Sequence, residues 1–318
     1  MKSNSQAMNC PMVYRVVSTL FATAVLSLVA ANALTQKLVA VAQVRPASLT
    51  ITTEPNAVVW IDEIRRGVTD ASGKLELKNV AGARHVVRVR AIGFKESNVP
   101  LLPGRRNIVV KLIKTSDKAE LMFQEAEDAR EKARDDAARQ QAAELYRQAL
   151  KLRPAYPAAR VGLARLLLDL NEYQAALNEI EAARRARPAY AEASAVEGRI
   201  NREAAFTDQA IRSFRRAIRE GRGFQPEAHV GLARVLEDQG KYDEAIVEFR
   251  KAIDQLSDSE PVIYQLLGAA YEKQQKYKEA VVAYEKYLEL APNSGLAPAI
   301  RSMIDQLRRD AAGQEIIP

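Results

Sequence analysis

The stretch from Pro261 to Pro292 has the 3.6-residue period of two amphipathic helices of about equal length. The apolar or small positions at helical spacing are Tyr264, Leu267, Gly268 and Tyr271 in the first half and Ala280, Tyr284 and Tyr287 in the second. The pattern predicts one helical hairpin with a small residue where its helices cross. A hairpin of this size cannot bury its apolar stripe alone, so the pattern also predicts a stack of such hairpins.

The second-helix pattern recurs at steps of 34 or 35 residues along the preceding part of the chain. The small residue is Ala142, Ala176, Ala210, Ala245 or Ala280, and the large partner four places later is Tyr146, Ile180, Phe214, Phe249 or Tyr284. Five copies in phase predict five helical hairpins over residues 118–292.

These copies resemble tetratricopeptide repeats, a helix-turn-helix unit of 34 residues. The family's closing proline is matched by Pro154, Pro188 and Pro292, and its small first-helix residue by Ala164, Gly198, Ala233 and Gly268. The resemblance implies an α-α superhelical solenoid. Two intermediate repeats have one extra residue and lack the proline, so their loops should differ. The first copy has Arg130 at the small position, so its opening helix should be longer or shifted.

After the last repeat, a stripe at i, i+3, i+4 and i+7 predicts a terminal helix over residues 295–311. The stripe consists of Ile300, Met303, Ile304 and Leu307. A solenoid needs such a cap, with one face on the last repeat and the other in water.

Residues 46–114 change from the helical period to a period of two, which predicts a small antiparallel β-sandwich. Turn signals separate the strands, among them Ala81-Gly82 and Pro103-Gly104. The segment resembles the PEGA domain, a β module of bacterial envelope and signalling proteins, through LTITTEPNAVVWID, Gly67, Thr69 and the run HVVRVRAIGF. A transthyretin-like or carboxypeptidase-regulatory module is the alternative.

The chain begins with a basic, then apolar segment that has the layout of a secretory signal. Lys2 and Arg15 precede the uncharged run from Val16 to Gln36. The pattern predicts a signal peptide, or a retained inner-membrane anchor formed by residues 16–36, within residues 1–42. The fold class is therefore α+β multidomain: this segment, a β-sandwich and a helical solenoid. The expected location is the periplasm or cell envelope.

The sequence offers little for catalysis or metal binding. Cys10 is the only cysteine, and His85 and His229 are the only histidines. There is no phosphate-binding glycine loop, HExxH motif or nucleophile elbow. We therefore expect no enzyme, no cofactor and no metal. The net charge of +7 is concentrated before residue 116. Nucleic acid is not an expected partner, because the aromatic residues are not interleaved with the basic ones.

Binding is the favoured function. In the tetratricopeptide family, the residue after the small first-helix position points into the concave groove. Here the matching residues are Arg165, Arg199 and Arg234, with Arg202 nearby. Guanidinium groups in a row favour carboxylates, so the expected ligand is an acidic or C-terminal segment of a protein. The alternative is that these arginines pair with the acids four residues on, Asp169, Glu203 and Asp238.

A second set of basic residues lies in the β module. It consists of Arg88, Arg90, Arg105, Arg106 and Lys111, and the pattern places Arg88, Arg90 and Lys111 on the outward faces of neighbouring strands. Such a patch would suit lipid headgroups or an anionic envelope polymer. Alternatively, it only keeps strand edges soluble. Trp60 and Phe94 are expected in the core or between the sheets.

The sequence thus predicts a non-catalytic scaffold whose repeats bind a protein and whose β module positions them. Two alternatives remain. The β module could be the principal binder, of a polysaccharide or other polymer, with the helices as a spacer or oligomerisation surface. The chain could also be a cytoplasmic signalling scaffold on a retained anchor.

Overall fold

The computed structural model describes residues 47–62, 64–80, 85–256 and 260–314. The predicted signal or anchor segment and the turn signal at Ala81-Gly82 lie outside these residues. No helix in the described part of the chain is long and apolar enough to cross a membrane.

Two β-sheets form the first described part of the protein. The strands are β1 (Ala47–Thr52), β2 (Val58–Ile61), β3 (Ile64–Val68), β4 (Lys74–Val80), β5 (His85–Arg90), β6 (Ser97–Leu101) and β7 (Asn107–Val109). One sheet has the order β3-β2-β5-β6 and the other the order β4-β1-β7. The alternating inward residues, such as Ile51, Val59, Val87 and Val89, are fully buried in a shared core.

The prediction of a wholly antiparallel module is wrong at one pair. Strand β1 runs parallel to β7, with Thr50 opposite Asn107 and Thr52 opposite Val109. The alternation of apolar and polar residues determines which face of a strand is buried, but it carries no information about the direction of the partner strand.

Eleven helices follow in the described residues. They are α1 (Lys118–Lys132), α2 (Asp136–Leu152), α3 (Pro157–Asp169), α4 (Tyr173–Ala186), α5 (Ala191–Glu203), α6 (Thr207–Glu220), α7 (Pro226–Asp238), α8 (Tyr242–Leu256), α9 (Pro261–Lys273), α10 (Tyr277–Leu290) and α11 (Ala297–Gln314). Consecutive helices pack as five antiparallel pairs, from α1/α2 to α9/α10, and α11 packs on α10. The chain therefore forms a helical solenoid after a small β region.

The recurring small and large residues hold the solenoid together. Phe214 on α6 is fully buried, and its ring lies against Gly198 of its own pair and Gly231 of the next. A Cβ atom at Gly198 would lie 2.5 Å from the ring, and one at Gly231 would lie 2.3 Å from it. The absence of side chains on two flanking helices therefore makes room for one aromatic ring.

Two of the three irregular positions, helix α1 and the loop after α6, differ from the regular repeat as expected. Helix α1, which contains Arg130, has 15 residues, whereas α3, α5, α7 and α9 have 13 each. The loop after α6 has positive φ angles at Arg222 and Gly223. The loop after α8 is only partly described.

In α11, three of the four predicted stripe residues are buried. Ile300, Ile304 and Leu307 pack into the core of the last repeats. Met303 is exposed, which corrects the predicted stripe. Met303 lies at the edge of the helix face that contacts the last repeats, because Ile300, Ile304 and Leu307 already cover the width of that face.

Candidate binding groove

Ion pairs join three of the first helices on one surface of the solenoid. We call this surface the groove. The Arg165 guanidinium on α3 donates to Glu192 on α5 at 3.2 Å and to Glu227 on α7 at 3.3 Å. Arg199 on α5 donates to the same Glu227 at 3.5 Å. The predicted groove positions of successive repeats therefore face one another.

These contacts correct the expectation that each arginine pairs four residues along its own helix. Arg165 and Arg199 bond to acids of the following repeats and not to Asp169 and Glu203, because the parallel first helices lie close enough for a long side chain to span them. Arg202 bonds to Asp238 of the next first helix at 3.1 Å, and also to its neighbour Glu203.

The pairing at Glu227 is strong enough to keep this carboxylate charged. Burial acts to raise the pKa of Glu227, but Arg165 and Arg199 outweigh it and hold the pKa below its ordinary value. Two of the predicted groove arginines are therefore largely neutralised within the protein, and they form part of the structure of the groove.

Arg234 differs from the other three. Its side chain is exposed in the groove, and it makes no ion pair with any residue in the described part of the chain. The nearby Glu237 has a pKa that burial raises to about 7, against the opposing effect of Arg234. Glu237 is therefore only partly ionised near neutral pH, and it offsets only part of the positive field of the Arg234 guanidinium.

The β module packs directly on the first repeat. The side chain of Gln124 on α1 accepts from the backbone N–H of Gly93 at 2.9 Å and donates to the carbonyl of Phe94 at 2.7 Å. Arg65 on β3 donates to Glu131 at 3.1 Å. The four-stranded sheet thereby lies over the groove.

Arg90 is the charged centre of this contact. It is only 9% exposed, and its guanidinium donates to Glu96 at 2.8 and 3.0 Å and to Glu127 on α1 at 3.3 Å. It also lies 4.7 Å from the ring of Phe123. Burial acts to lower the pKa of Arg90, but Glu127 and Glu96 raise it, so the guanidinium stays charged.

Trp60 lies on the same face of the sheet. Its ring is 4.3 Å from the guanidinium of Arg88 and 5.2 Å from that of Arg90. The expectation of Trp60 in the core is wrong, because its neighbours Val59 and Ile61 occupy the core and the strand alternates. Phe94 does pack against the β core.

The basic residues predicted for the β module therefore separate into two groups. Arg88 and Arg90 belong to the four-stranded sheet and face the solenoid, so they do not form an open patch. Lys111 follows β7 in the other sheet and does not share a face with them, which corrects the prediction. Arg105, Arg106 and Lys111 are exposed.

Two cavities lie between the β module and the groove. The smaller, of about 510 Å³, is lined by Trp60, Arg88 and Arg90 and by first helices of the solenoid. The larger has about 1160 Å³. Its lining includes Arg199, Arg202 and Arg234, the apolar side chains of Phe224, Val230, Val262 and Ile263, and His85 and Val86 of β5. The sequence analysis predicted neither the apolar side chains that line this cavity nor the contribution of β5 to its wall. The 3.6-residue period of α7 and α9 indicates only which residues of these helices point inward.

His85, which lines the larger cavity, has its own partner. Its Nδ1 lies 2.5 Å from a carboxylate oxygen of Asp62, and the other oxygen accepts from the backbone N–H of Val86. No cluster of histidine, cysteine or acidic residues that could hold a metal ion occurs among the described residues. The groove therefore offers charge and apolar surface to a ligand.

Two family models match the solenoid, both described as tetratricopeptide repeat, over residues 133–200 and 224–293. No curated protein matches the chain. Similar solved structures include a thermophilic TPR protein of Thermus thermophilus, with 21% identity, a TM-score of 0.49, and coverage of 59% of this chain and 98% of that one. PilF of Pseudomonas aeruginosa has 16% identity, a TM-score of 0.49, and coverage of 59% and 88%.

A third similar structure is YrrB, described as a TPR protein with an unusual peptide-binding site. It has 19% identity and a TM-score of 0.42, and the match covers 59% of this chain and 94% of YrrB. The family models agree with the helix pairs and with the phased small and large residues. The chain therefore contains tetratricopeptide repeats, at residues 133–200 and 224–293.

Proposed function

We propose that this protein is a non-catalytic scaffold that binds a segment of a partner protein in the larger groove cavity. The observation that carries the proposal is the cavity of about 1160 Å³ in which Arg234, without an ion pair among the described residues, faces an apolar wall. Its volume exceeds the roughly 300–1,000 Å³ of small-molecule sites, so an extended peptide is the better match.

The lining defines the chemistry of the ligand. Arg234 can donate two parallel hydrogen bonds to one carboxylate. Val230, Val262 and Ile263 offer contact to an aliphatic side chain. The acids of the groove already balance the other arginines, so further acidic residues in a ligand would gain no comparable attraction there. The expected ligand is a segment with one carboxylate, acidic or C-terminal, beside an aliphatic residue.

We expect an array of extended peptides to show this preference with the full chain as probe. The double variant Arg199→Ala/Arg234→Ala should bind such peptides about 10- to 100-fold more weakly, the loss expected for one or two charge-assisted hydrogen bonds. Its free energy of unfolding should change by less than about 1 kcal/mol, because Glu227 keeps Arg165 as a partner. Fluorescence anisotropy and urea unfolding measure the two quantities.

The matched control is Arg185→Ala/Arg212→Ala, which removes two arginines of second helices outside the cavity lining. This control should bind normally. Equal binding by both double variants would contradict the proposal, as would loss of binding accompanied by unfolding of the groove variant.

We also propose that the protein works in the bacterial cell envelope, with a PEGA-like β module that fixes the position of the repeats. The support is the layout of residues 1–42 and the resemblance of residues 46–114. Alkaline phosphatase fused to the C-terminus should be active in cells, because that enzyme folds only outside the cytoplasm. Inactive phosphatase together with a fluorescent GFP fusion at the same site would favour the cytoplasmic scaffold instead.

The polymer-binding alternative loses two of its five basic residues. Arg88 and Arg90 already bond to Glu96, and both line the space between the sheet and the solenoid. A spacer role for the helices would also leave the docking of the sheet over the groove without a purpose. We therefore retain the peptide-binding groove as the proposed function.

A further inference from the structure

The β module has a second face, on the side of β7. Along β7 and the residues after it, Ile108, Val110 and Leu112 point into the core. The alternating residues Val109, Lys111 and Ile113 therefore point outward. Strand β7 pairs only with β1 among the described strands of its sheet, so it is an edge strand.

Large aliphatic side chains are exposed on this face. Val109 is 66% exposed and Ile113 is 69% exposed. Ile92, which is 70% exposed, lies in the turn next to Ile113, because Lys95 donates to the carbonyl of Ile113 and Thr115 donates to that of Gly93. We call this surface the β7 strip: Ile92, Val109, Lys111 and Ile113, with Arg105 and Arg106 in the turn before the strand.

The charge of the β7 strip has one sign. The sequence has no acidic residue from 97 to 116, and this stretch has four basic ones. Arg105, Arg106 and Lys111 are exposed and make no ion pair with any residue that the structure describes. In contrast, Arg88 and Arg90 on the other sheet are neutralised by Glu96 and, for Arg90, by Glu127.

The start of the described chain lies beside the β7 strip. The backbone N–H of Thr50 on β1 donates to the carbonyl of Arg106 at 2.8 Å. In the sequence, ten residues separate the apolar run that ends at Gln36 from the first residue of β1. Ten residues span at most about 36 Å when fully extended. A bilayer that holds the apolar run would therefore lie within reach of the strip.

From these observations we infer that the β7 strip binds the surface of an anionic lipid bilayer. The aliphatic side chains enter the boundary between headgroups and acyl chains, and the three cations contact lipid phosphates. A protein partner would need acidic groups around an apolar centre. A lipid surface offers both over any area, which suits a strip whose outward side chains are exposed from Val109 to Ile113. The inference does not depend on the groove.

A label on the strip tests this in the full chain. Cys10→Ser removes the native thiol, and Val109→Cys places an environment-sensitive dye on the strip. The control is Val282→Cys on α10, which has a matched exposure of 65%. The vesicles are phosphatidylcholine alone or an equimolar mixture with phosphatidylglycerol.

We expect the emission at position 109 to shift to the blue in the anionic vesicles only, and no shift at position 282. The shift should disappear in Arg105→Glu/Arg106→Glu/Lys111→Glu, and in about 1 M salt, where the screening length falls to about 3 Å. Lack of a shift at 109, an equal shift at both positions, or an equal shift in both kinds of vesicle would overturn the inference. It would also be overturned by a shift that rises with protein concentration without vesicles, which would show that a second copy covers the strip.

Discussion

Gly231→Ala should lower the free energy of unfolding by about 3 kcal/mol, the upper part of the range for overpacking a core. The added Cβ would lie 2.3 Å from the ring of Phe214, which is fully buried between two helix pairs. Alanine is the better helix former by about 1 kcal/mol, so the expected loss runs against propensity. Urea unfolding followed by circular dichroism measures it.

The matched control is Gly313→Ala in α11, where a Cβ would meet nothing within 4 Å. That variant should be neutral or slightly stabilising. Phe214→Leu should partly rescue Gly231→Ala, because the smaller side chain gives the new Cβ space, and the two changes should therefore be non-additive. If Gly231→Ala is as stable as the control, the ring does not need this glycine.

The solenoid could be predicted from the sequence because its core is local. Each hairpin buries its stripe against the next one, so the same small and large residues must recur. Ala245 and Phe249 show this as clearly as Ala280 and Tyr284. The repeat register was enough to identify Phe214 and Gly198 as residues at which two helices cross. The second glycine, Gly231, was missed because it faces the preceding pair.

The sequence grouped arginines of successive first helices, but it did not give their contacts. The repeat register located Arg165, Arg199 and Arg234, but it carries no information about distances between repeats. The acid four residues on is visible in the sequence, whereas Glu227 is 62 residues from Arg165. Only the superhelical stacking brings the two together, so the pairing could not be deduced from spacing.

The position of the β module could not be predicted from the sequence for a related reason. Alternation shows that Arg88 and Lys111 point away from their own core, but both sheets have such a face. Which face is covered depends on the solenoid. Gln124 and Glu127 on α1 provide the partners of the four-stranded sheet, and nothing in their helical pattern marked them as an interface.

Removing Arg90 should destabilise this interface strongly. Arg90→Ala leaves Glu96 and Glu127 without their shared partner, and losing one member of a buried ion pair costs about 3–5 kcal/mol. Glu127 keeps Arg130 and accepts from the Tyr146 hydroxyl, so we expect the lower end, about 3 kcal/mol. The control Arg105→Ala removes an exposed arginine that has no ion pair among the described residues, and it should change stability by less than about 0.5 kcal/mol.

The loss of stability in Arg90→Ala should also depend on pH, and it should be local to the contact between the sheet and the solenoid. Burial acts to raise the pKa of Glu127, but Arg130 and Arg90 hold it below its ordinary value. Ionised Glu127 therefore contributes stability above the unfolded pKa of about 4.3, and the contribution is lost as the pH falls through the lower folded pKa. The difference between the native protein and Arg90→Ala should thus be constant from neutral pH to about 5 and shrink in stronger acid.

Hydrogen exchange locates the change. In Arg90→Ala, the amide of Gly93, which donates to Gln124, should exchange faster, while those of α9 and α10 should not. If the amides of both regions were as protected in Arg90→Ala as in the native protein, and stability were unchanged, Arg90 would not hold the sheet to the solenoid. Because the same sheet forms one wall of the larger cavity, loosening it should also weaken peptide binding there without any change to Arg199 or Arg234.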